Sequence, residues 1–296
     1  MRSMVPAVQA AHTRSTQKLR VRATRVARRG LLAALLFALL LLFMIPLLWF
    51  LALALRPATT DFAVPPNLAF VPSLWAFFDT FVSPGENLHN FLASVIESGG
   101  AVLITTPLAI LAAYGFTRYR FKGRRFTLLW LLTLLLTPPM GMILPNYIIM
   151  NALGLIGSYV VMMLMYQTFT LPLSIWLLRG FLHDIPREIE EAAAIDGAGR
   201  LRILWSVILP MSKPGILVTL MFSFVFSWNN TIFPLAMSNG NSQPLPISTL
   251  NYFATTGVTW NYIAATSIVT ILPPAILFFL FRRYIVKGLT FGAVTG

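Results

Sequence analysis

Residues 183–216 read HDIPREIEEAAAIDGAGRLRILWSVILPMSKPGI, and this stretch decides what kind of fold the chain can adopt. It is too polar to cross a membrane and too regularly patterned to be a plain linker. Pro186 suits the first turn of a helix, and the acidic residues after it favour a helix N-terminus. Gly197 and Gly199 then end the helix. The pattern predicts a short helix in a loop between two apolar segments.

One face of this short helix is built from small side chains. Ile189, Ala192 and Ala193 share that face at i, i+3, i+4 spacing, and alanines allow a partner surface to approach closely. The helix could instead lie on a membrane surface. Its alanine-rich face is too weakly apolar for strong insertion, which favours a protein partner.

Long apolar segments lie on both sides of the loop. The 296-residue chain is 57% hydrophobic and only 10% charged, whereas soluble domains carry about 25% charged residues. A membrane-spanning helix needs about 20 apolar residues. Six segments satisfy this need, at about residues 31–55, 91–116, 126–149, 158–178, 213–236 and 261–281. The first is longer than a cleaved signal core of about 7–15 residues, so we expect an all-α integral membrane protein with six transmembrane helices.

The positive charges fall on one side of this arrangement. The net charge is +13, and 21 of the 22 Lys and Arg residues lie at the two termini or in the loops after the second and fourth segments. The positive-inside rule then predicts that both termini are cytoplasmic. We expect residues 1–30 to form a basic tail that contacts anionic lipid, ahead of a transmembrane domain over 31–296. The charge is therefore a topology signal, and we expect no nucleic-acid partner.

The chain shows no energy source or catalytic centre of its own. Ion-driven carriers usually need titratable groups within the membrane, and only Glu97 and His89 come close, near one end of the second segment. They could line a vestibule or lie at a solvated helix end. No Gly-Lys pair exists for a phosphate-binding loop, and the chain has no cysteine and only three scattered histidines. We expect no metal site and no catalytic activity in this chain. We also expect another chain to supply the energy for any active transport.

The central loop resembles a known motif. Glu191-Ala192-Ala193, Gly197 and residues 207–210 (VILP) are spaced as E-A-A-x3-G-x9-I-x-L-P, with valine in the isoleucine position. This is similar to the EAA motif of the permease subunits of binding-protein-dependent ABC importers.

Three further segments resemble the carbohydrate-uptake (MalG-like) branch of those permeases. Residues 288–296 (GLTFGAVTG) resemble its G-L-T-x-G-A-V-K-G ending, with Thr295 in the lysine position. Residues 113–124 (AYGFTRYRFKGR) and 226–230 (FSWNN) also resemble that branch. The resemblance extends over roughly residues 35–296.

The resemblance implies a type I ABC importer (MetI-like) permease fold, multi-pass in a bacterial plasma (inner) membrane. It implies a second permease subunit, two ATP-binding subunits that hold ATP and Mg, and an extracytoplasmic solute-binding protein. In the loop of about 183–212 the residues expected to couple to the ATPase are Glu191, Ala192, Ala193, Asp196, Gly197, Leu209 and Pro210. In the tail 284–296 the residues expected to contact the ATPase are Gly288, Leu289, Thr290 and Gly292.

The same resemblance implies a sugar as cargo, most simply a di- or oligosaccharide. Trp228, Asn229 and Asn230 combine a flat apolar ring with amides, which suits a sugar's C–H faces and hydroxyls. The two amides could equally hydrogen-bond neighbouring helices. Glu97 is a further candidate on the substrate path, and the uncharged 237–260 loop favours a neutral sugar over a phosphorylated one. A secondary carrier or channel without an ATPase, or a structural subunit of another assembly, are the competing interpretations.

Overall fold

The structure, a computed structural model, describes the backbone of residues 5–57, 70–82, 86–254 and 257–291. The helices in these ranges are α1 (Val5–Ala54), α2 (Trp75–Phe81), α3 (Glu86–Arg118), α4 (Arg124–Leu136), α5 (Pro139–Ala152), α6 (Tyr159–His183), α7 (Arg187–Ile195), α8 (Arg200–Ile203), α9 (Leu209–Met211), α10 (Lys213–Trp228), α11 (Ile232–Met237), α12 (Leu245–Ser248) and α13 (Trp260–Phe291). A π-helical turn, Leu204–Ile208, links α8 to α9. A 3-10 turn, Thr249–Tyr252, leads into an antiparallel hairpin of β1 (Phe253–Ala254) and β2 (Gly257–Val258).

The chain divides into two compact units, Met1–Ala52 and Leu53–Gly296. Nearly all of α1 lies in the first unit, and its Arg28–Ala54 part is long and apolar enough to cross a membrane. The backbone is already helical from Val5, so most of the predicted basic tail belongs to this helix.

The predicted spans correspond to the long helices. Among the described residues, four helices are long and apolar enough to cross a membrane, or up to six if each of two bent pairs is one span. One bent pair is α4 and α5, which meet at 100°. Its break lies at Pro138-Pro139, where proline removes backbone donors from the helix.

Contacts between α3 and α6 fix the direction of the chain in the second unit. Gln167 Nε2 donates to the Ala101 carbonyl (3.1 Å), and further along both helices Arg118 Nη2 donates to the Ile185 carbonyl (3.0 Å). The two helices therefore run parallel, so the α4–α5 pair must carry the chain back between them. In contrast, α10 runs antiparallel to α6. Ser174 Oγ and Ser223 Oγ are 2.8 Å apart, and Phe169, earlier in α6, meets Phe226, later in α10, at 5.8 Å between ring centroids.

The two ends of this bundle differ in character. We call the end where α3 and α6 finish and α4 begins the basic end, because it carries Arg118, Arg120, Arg124, Arg125 and Arg179. We call the opposite end the hairpin end. There, α2 and α12 lie against α3 and α13, and the 3-10 turn that leads into the β-hairpin lies against α13.

The fifth predicted segment, 213–236, is wrong in its second half. The helix α10 ends at Trp228, and the short α11 follows. Asn229 Nδ2 donates to the Val225 carbonyl (2.9 Å), while Asn230 Oδ1 accepts from the Phe233 amide (3.3 Å). These local bonds compete with continued helix, so the two asparagines interrupt the span.

Candidate functional site

The short predicted helix is present as α7, and glycine ends it as expected. Gly197 has φ +83°, a left-handed conformation that glycine adopts without a Cβ penalty. The Ala198 amide donates to the Ala193 carbonyl and the Gly197 amide to the Ala194 carbonyl, both at 3.0 Å. This pair of bonds is the Schellman arrangement, and it turns the chain sharply into α8.

The inward face of α7 is attached to the bundle by charge. Glu190 forms an ion pair with Arg118 at the end of α3, with both side chains largely buried. The Tyr114 hydroxyl also donates to Glu190 Oε2 (3.3 Å), and Ala193 packs against the core cluster built from α3 and α6. Since Arg118 also donates to the Ile185 carbonyl, one guanidinium connects α3, α7 and the link between α6 and α7.

The outward face of α7 is free of such attachments in the described part of the chain. Glu191 and Ala192 are exposed, and Ile195 is 86% exposed. In the following segment Leu201 and Trp205 are also exposed, at 69% and 66%. Large apolar side chains in such positions are typical of a surface that another protein covers.

The remaining loop candidates divide between surface and core. Asp196 and Pro210 are exposed, whereas Leu209 is half-buried and packs against the same core cluster as Ala193. Sequence periodicity put Ala192 and Ala193 on one face. The structure separates them, because Ala193 turns toward the bundle and Ala192 away from it.

The C-terminal candidates lie at the edge of what the structure describes. Gly288, Leu289 and Thr290 belong to the last turns of α13, which continues to Phe291. Gly292 lies outside the described residues. The backbone at 284–291 is thus helical, where the sequence predicted a tail.

A cavity of about 320 Å³ lies at the junction of α10 and α11. Its lining includes the predicted Asn229 and Asn230, together with Phe222 and Phe226, which sequence reasoning missed. These two rings are four residues apart on one helix face, and both are more than 40% exposed. The i, i+4 spacing leading to the asparagines was the signal that could have found them.

Trp228 lies apart from that lining. It is 1% exposed, its Nε1 donates to the Thr270 carbonyl (2.9 Å), and its ring stacks on Phe224 at 5.5 Å. It also meets Phe91 edge to face at 5.7 Å. Through these contacts, Trp228 joins α10 to α13 and α3.

The expected solvated or vestibular position of Glu97 is wrong. Its side chain is fully buried, and the Tyr166 hydroxyl donates to its Oε2 at 3.3 Å. The parallel packing of α3 and α6 covers this position, which sequence reasoning placed at an exposed helix end. His89, two residues before Phe91, is exposed, and its Nε2 lies 2.9 Å from the Asn241 carbonyl.

Known proteins with this arrangement identify the chain. A family described as "binding-protein-dependent transport system inner membrane component" matches residues 105–291, which include α7, α10 and the cavity. The chain belongs to this family. It is therefore an inner-membrane permease component, and the membrane-spanning helices agree with that location.

Two relatives of this inner-membrane component cover most of its length. The trehalose transport system permease protein SugB of Mycobacterium tuberculosis is 31% identical over 86% of this chain and 93% of that protein. The trehalose/maltose transport system permease protein MalG of Thermococcus litoralis is 29% identical over 90% of this chain and 96% of that protein. A chain of a bacterial ABC transporter that imports alginate has the same fold, with TM-score 0.70 and 18% identity over 85% of this chain and 94% of that one.

Proposed function

We propose that this permease component moves a di- or oligosaccharide into the cell by alternating access, driven by ATP that a partner hydrolyses. The names of the relatives, which are permeases for trehalose and maltose, support the sugar class. The single observation that carries the coupling is the division of α7, whose inward side is ion-paired to α3 while Glu191, Ala192 and Ile195 face outward.

The proposed assembly has a second permease subunit, two ATP-binding subunits and an extracytoplasmic solute-binding protein. ATP and Mg belong to the ATP-binding subunits, because this chain has no Gly-Lys pair for a phosphate-binding loop. Both chain termini and the basic end face the cytoplasm in this proposal, which follows the positive-inside rule. The outward face of α7 then lies where an ATP-binding subunit can reach it.

The contacts at the basic end suggest how a push on α7 reaches the spans. A partner that presses on Ile195 and Ala192 displaces α7 as a unit, because its last turn is fixed by the bonds around Gly197. The Glu190–Arg118 pair passes that displacement to α3, and the Arg118–Ile185 bond passes it to the end of α6. Both helices therefore receive the displacement through the same guanidinium.

The cavity at the end of α10 is the proposed sugar contact. Phe222 and Phe226 offer flat apolar faces, and Asn229 and Asn230 offer amides beside them. Sugars present both C–H faces and hydroxyls, so rings next to amides match them. None of the side chains lining the cavity is charged, which favours a neutral sugar.

Reconstitution with the ATP-binding subunits and the solute-binding protein tests the proposal. We expect Glu191→Ala combined with Ile195→Ala to reduce co-purification of the ATP-binding subunits and to lower ATP turnover. The melting temperature should stay unchanged, because both side chains are exposed. Glu86→Ala is the matched control, since it removes an exposed carboxylate from the hairpin end.

Two outcomes would contradict the proposal. Full co-purification and turnover in the double variant would remove α7 as the docking element. Sugar uptake by the chain alone in liposomes, without any ATP-binding subunit, would instead favour a secondary carrier.

A further inference from the structure

The basic end contains a cavity of about 660 Å³ that the transport proposal does not use. Its lining is dominated by four arginines and two exposed aromatic rings: Arg120, Arg124, Arg125, Arg179, Phe121 and Phe126. The arginines come from the link between α3 and α4, the first turn of α4 and the last turns of α6. Three separate parts of the fold therefore bring positive charge to one cavity.

This charge is not balanced within the described part of the chain. Two acids in the segment that follows Arg179 have other partners, because Glu190 pairs with Arg118 and Asp184 lies 3.9 Å from His183. Among the described side chains, no carboxylate lies within 4.0 Å of the four cavity arginines. Arg179 Nε is buried and has no hydrogen-bond partner among the described residues. Such a group needs an acceptor.

The start of α4 adds to the imbalance. Its first turn contains no acidic residue, and its N-cap, Gly123, provides no side-chain hydrogen bond. Arg124 and Arg125 occupy that turn, although the helix dipole already makes a helix N-terminus positive. A negatively charged ligand would stabilise both the free amide groups of this turn and the two guanidinium groups.

The surroundings indicate what carries the negative charge. Phe121 and Phe126 are 46% and 73% exposed beside the arginines, and Leu129 and Trp130 continue the exposed apolar surface along α4. An ion in solution gains nothing from such a surface, whereas acyl chains do. Arginine forks match phosphate oxygens in pairs.

We propose that this cavity is a phosphate-binding site, filled by the headgroup of an anionic phospholipid whose acyl chains lie along α4. Basic cavities between spanning helices at the cytoplasmic surface are suited to such headgroups. The site would hold the α4 start against the ends of α3 and α6. It is independent of the sugar cavity and of the outward face of α7.

Lipid retention by the full chain tests the site. Wild-type protein is equilibrated in mixed micelles of phosphatidylcholine and phosphatidylglycerol, and native mass spectrometry counts the lipids that stay bound. We expect wild type to retain phosphatidylglycerol, and R124Q/R179Q to lose that preference by about tenfold or more, since each arginine near anionic lipid contributes appreciably. The control R282Q/R283Q removes the same charge from the end of α13 and should retain the lipid.

A second arm separates a lipid from a free ion. Inorganic phosphate or chloride is added to wild-type protein in lipid-free detergent, and the melting temperature is followed. Selective retention of phosphatidylglycerol without a phosphate-specific shift supports the lipid headgroup. A phosphate-specific shift that R124Q/R179Q abolishes, without lipid retention, keeps the phosphate site but assigns it to the free ion.

The proposal is overturned if neither phosphatidylglycerol nor phosphate binds selectively. It is also overturned if R282Q/R283Q loses as much of the retained phosphatidylglycerol as R124Q/R179Q does. The second result would mean that general positive charge, not the cavity, attracts the lipid. If R124Q/R179Q does not fold, the single variant R120Q serves instead. It removes one cavity guanidinium from the α3–α4 link and leaves the helices intact.

Discussion

The two ends of α3 are attached to their surroundings by different chemistry. At the basic end, the ion pair between Arg118 and Glu190 holds α7. At the hairpin end, neutral hydrogen bonds reach several elements. Asn87 Nδ2 donates to the Tyr252 hydroxyl (2.7 Å) and to Thr266 Oγ1 (2.9 Å), and Ser94 Oγ accepts from the Leu245 amide (2.7 Å).

This difference indicates which end is built to transmit movement. The hairpin end distributes its attachment over α12, the 3-10 turn and α13, so breaking the bond to one of these elements leaves the bonds to the other two in place. Burial also raises the pKa of the Tyr252 hydroxyl above its ordinary value, so this attachment stays neutral at physiological pH. The basic end instead attaches α7 to the last turns of α3 through charged side chains. These contacts are the Arg118–Glu190 ion pair and a bond from Arg187 Nη2 to the Thr117 carbonyl (3.4 Å), and they suit a lever between α7 and α3.

The largest expected effect comes from breaking the ion pair at the basic end. Arg118→Ala leaves the Glu190 carboxylate, whose side chain is only 14% exposed, without its partner. Removing one member of a buried pair costs about 3 kcal/mol or more. We expect a lower melting temperature for the purified chain and a loss of solute-stimulated ATP turnover in the assembled transporter.

A double variant distinguishes the loss of the ion pair from a general destabilisation of the fold. Arg118→Ala with Glu190→Ala removes both charges, so part of the lost stability should return while coupling stays low. If the stability losses of the two single variants simply add in the double variant, Arg118 and Glu190 are not energetically coupled. The ion pair would then not be the connection between α7 and α3.

A smaller effect is expected at the hairpin end. Asn87 is 2% exposed, and Asn87→Ala removes two donor bonds and leaves the hydroxyls of Tyr252 and Thr266 with fewer partners. The cost of such a change is about 2 kcal/mol. We expect a lower melting temperature but retained binding of the ATP-binding subunits, measured by co-purification.

Leu88→Ala serves as the control for this end, because it changes the next residue of α3 at an exposed position. If Asn87→Ala separates the ATP-binding subunits as strongly as Arg118→Ala does, the two ends of α3 are not distinct in function.

Much of this architecture was predictable because apolar length and charge position are strong signals. The spans, the break at Pro138-Pro139 and the end of α7 near Gly197 all follow from local rules that tertiary contacts did not override. The different surroundings of neighbouring carboxylates were harder to predict. Glu190 and Glu191 are adjacent, yet one pairs with Arg118 and the other is exposed, and helical periodicity alone does not say which side meets the bundle.

The burial of Glu97 and Trp228 was not predictable in the same way. Both were substrate-path candidates chosen for their chemistry, and the parallel packing of α3 and α6 and the contact of α10 with α13 bury them. Such burial depends on which helices become neighbours, which a single sequence does not specify. Asn229, at the interrupted span, lines the cavity at the end of α10, and its side chain makes a local bond to the Val225 carbonyl.

A modest effect is expected where α7 turns away from the basic end. Gly197 has φ +83°, and a Cβ there would meet no atom within 4 Å. Gly197→Ala therefore adds backbone strain of about 1 kcal/mol without a clash. We expect a small drop in melting temperature and a reduced maximal ATP turnover, since the strain loosens the turn that fixes α7.

Gly199→Ala is the matched control for the turn. Gly199 lacks a positive φ and also has open space around it. Alanine there should therefore leave the melting temperature and the maximal ATP turnover unchanged. Equal losses in the two variants would show that chain flexibility in the loop, and not the left-handed turn, controls coupling.

The smallest effect is expected from Trp228, whose contact with Phe91 is an apolar part of the attachment of α3 near the hairpin end. Trp228→Phe keeps an aromatic ring but removes the Nε1 bond to the Thr270 carbonyl, at a cost of about 1 kcal/mol. Because this side chain lies outside the cavity lining, the KM for sugar uptake should stay unchanged, whereas Asn229→Ala should raise it. A raised KM in Trp228→Phe with an unchanged melting temperature would show that Trp228 contributes to sugar binding and not to the attachment of α3.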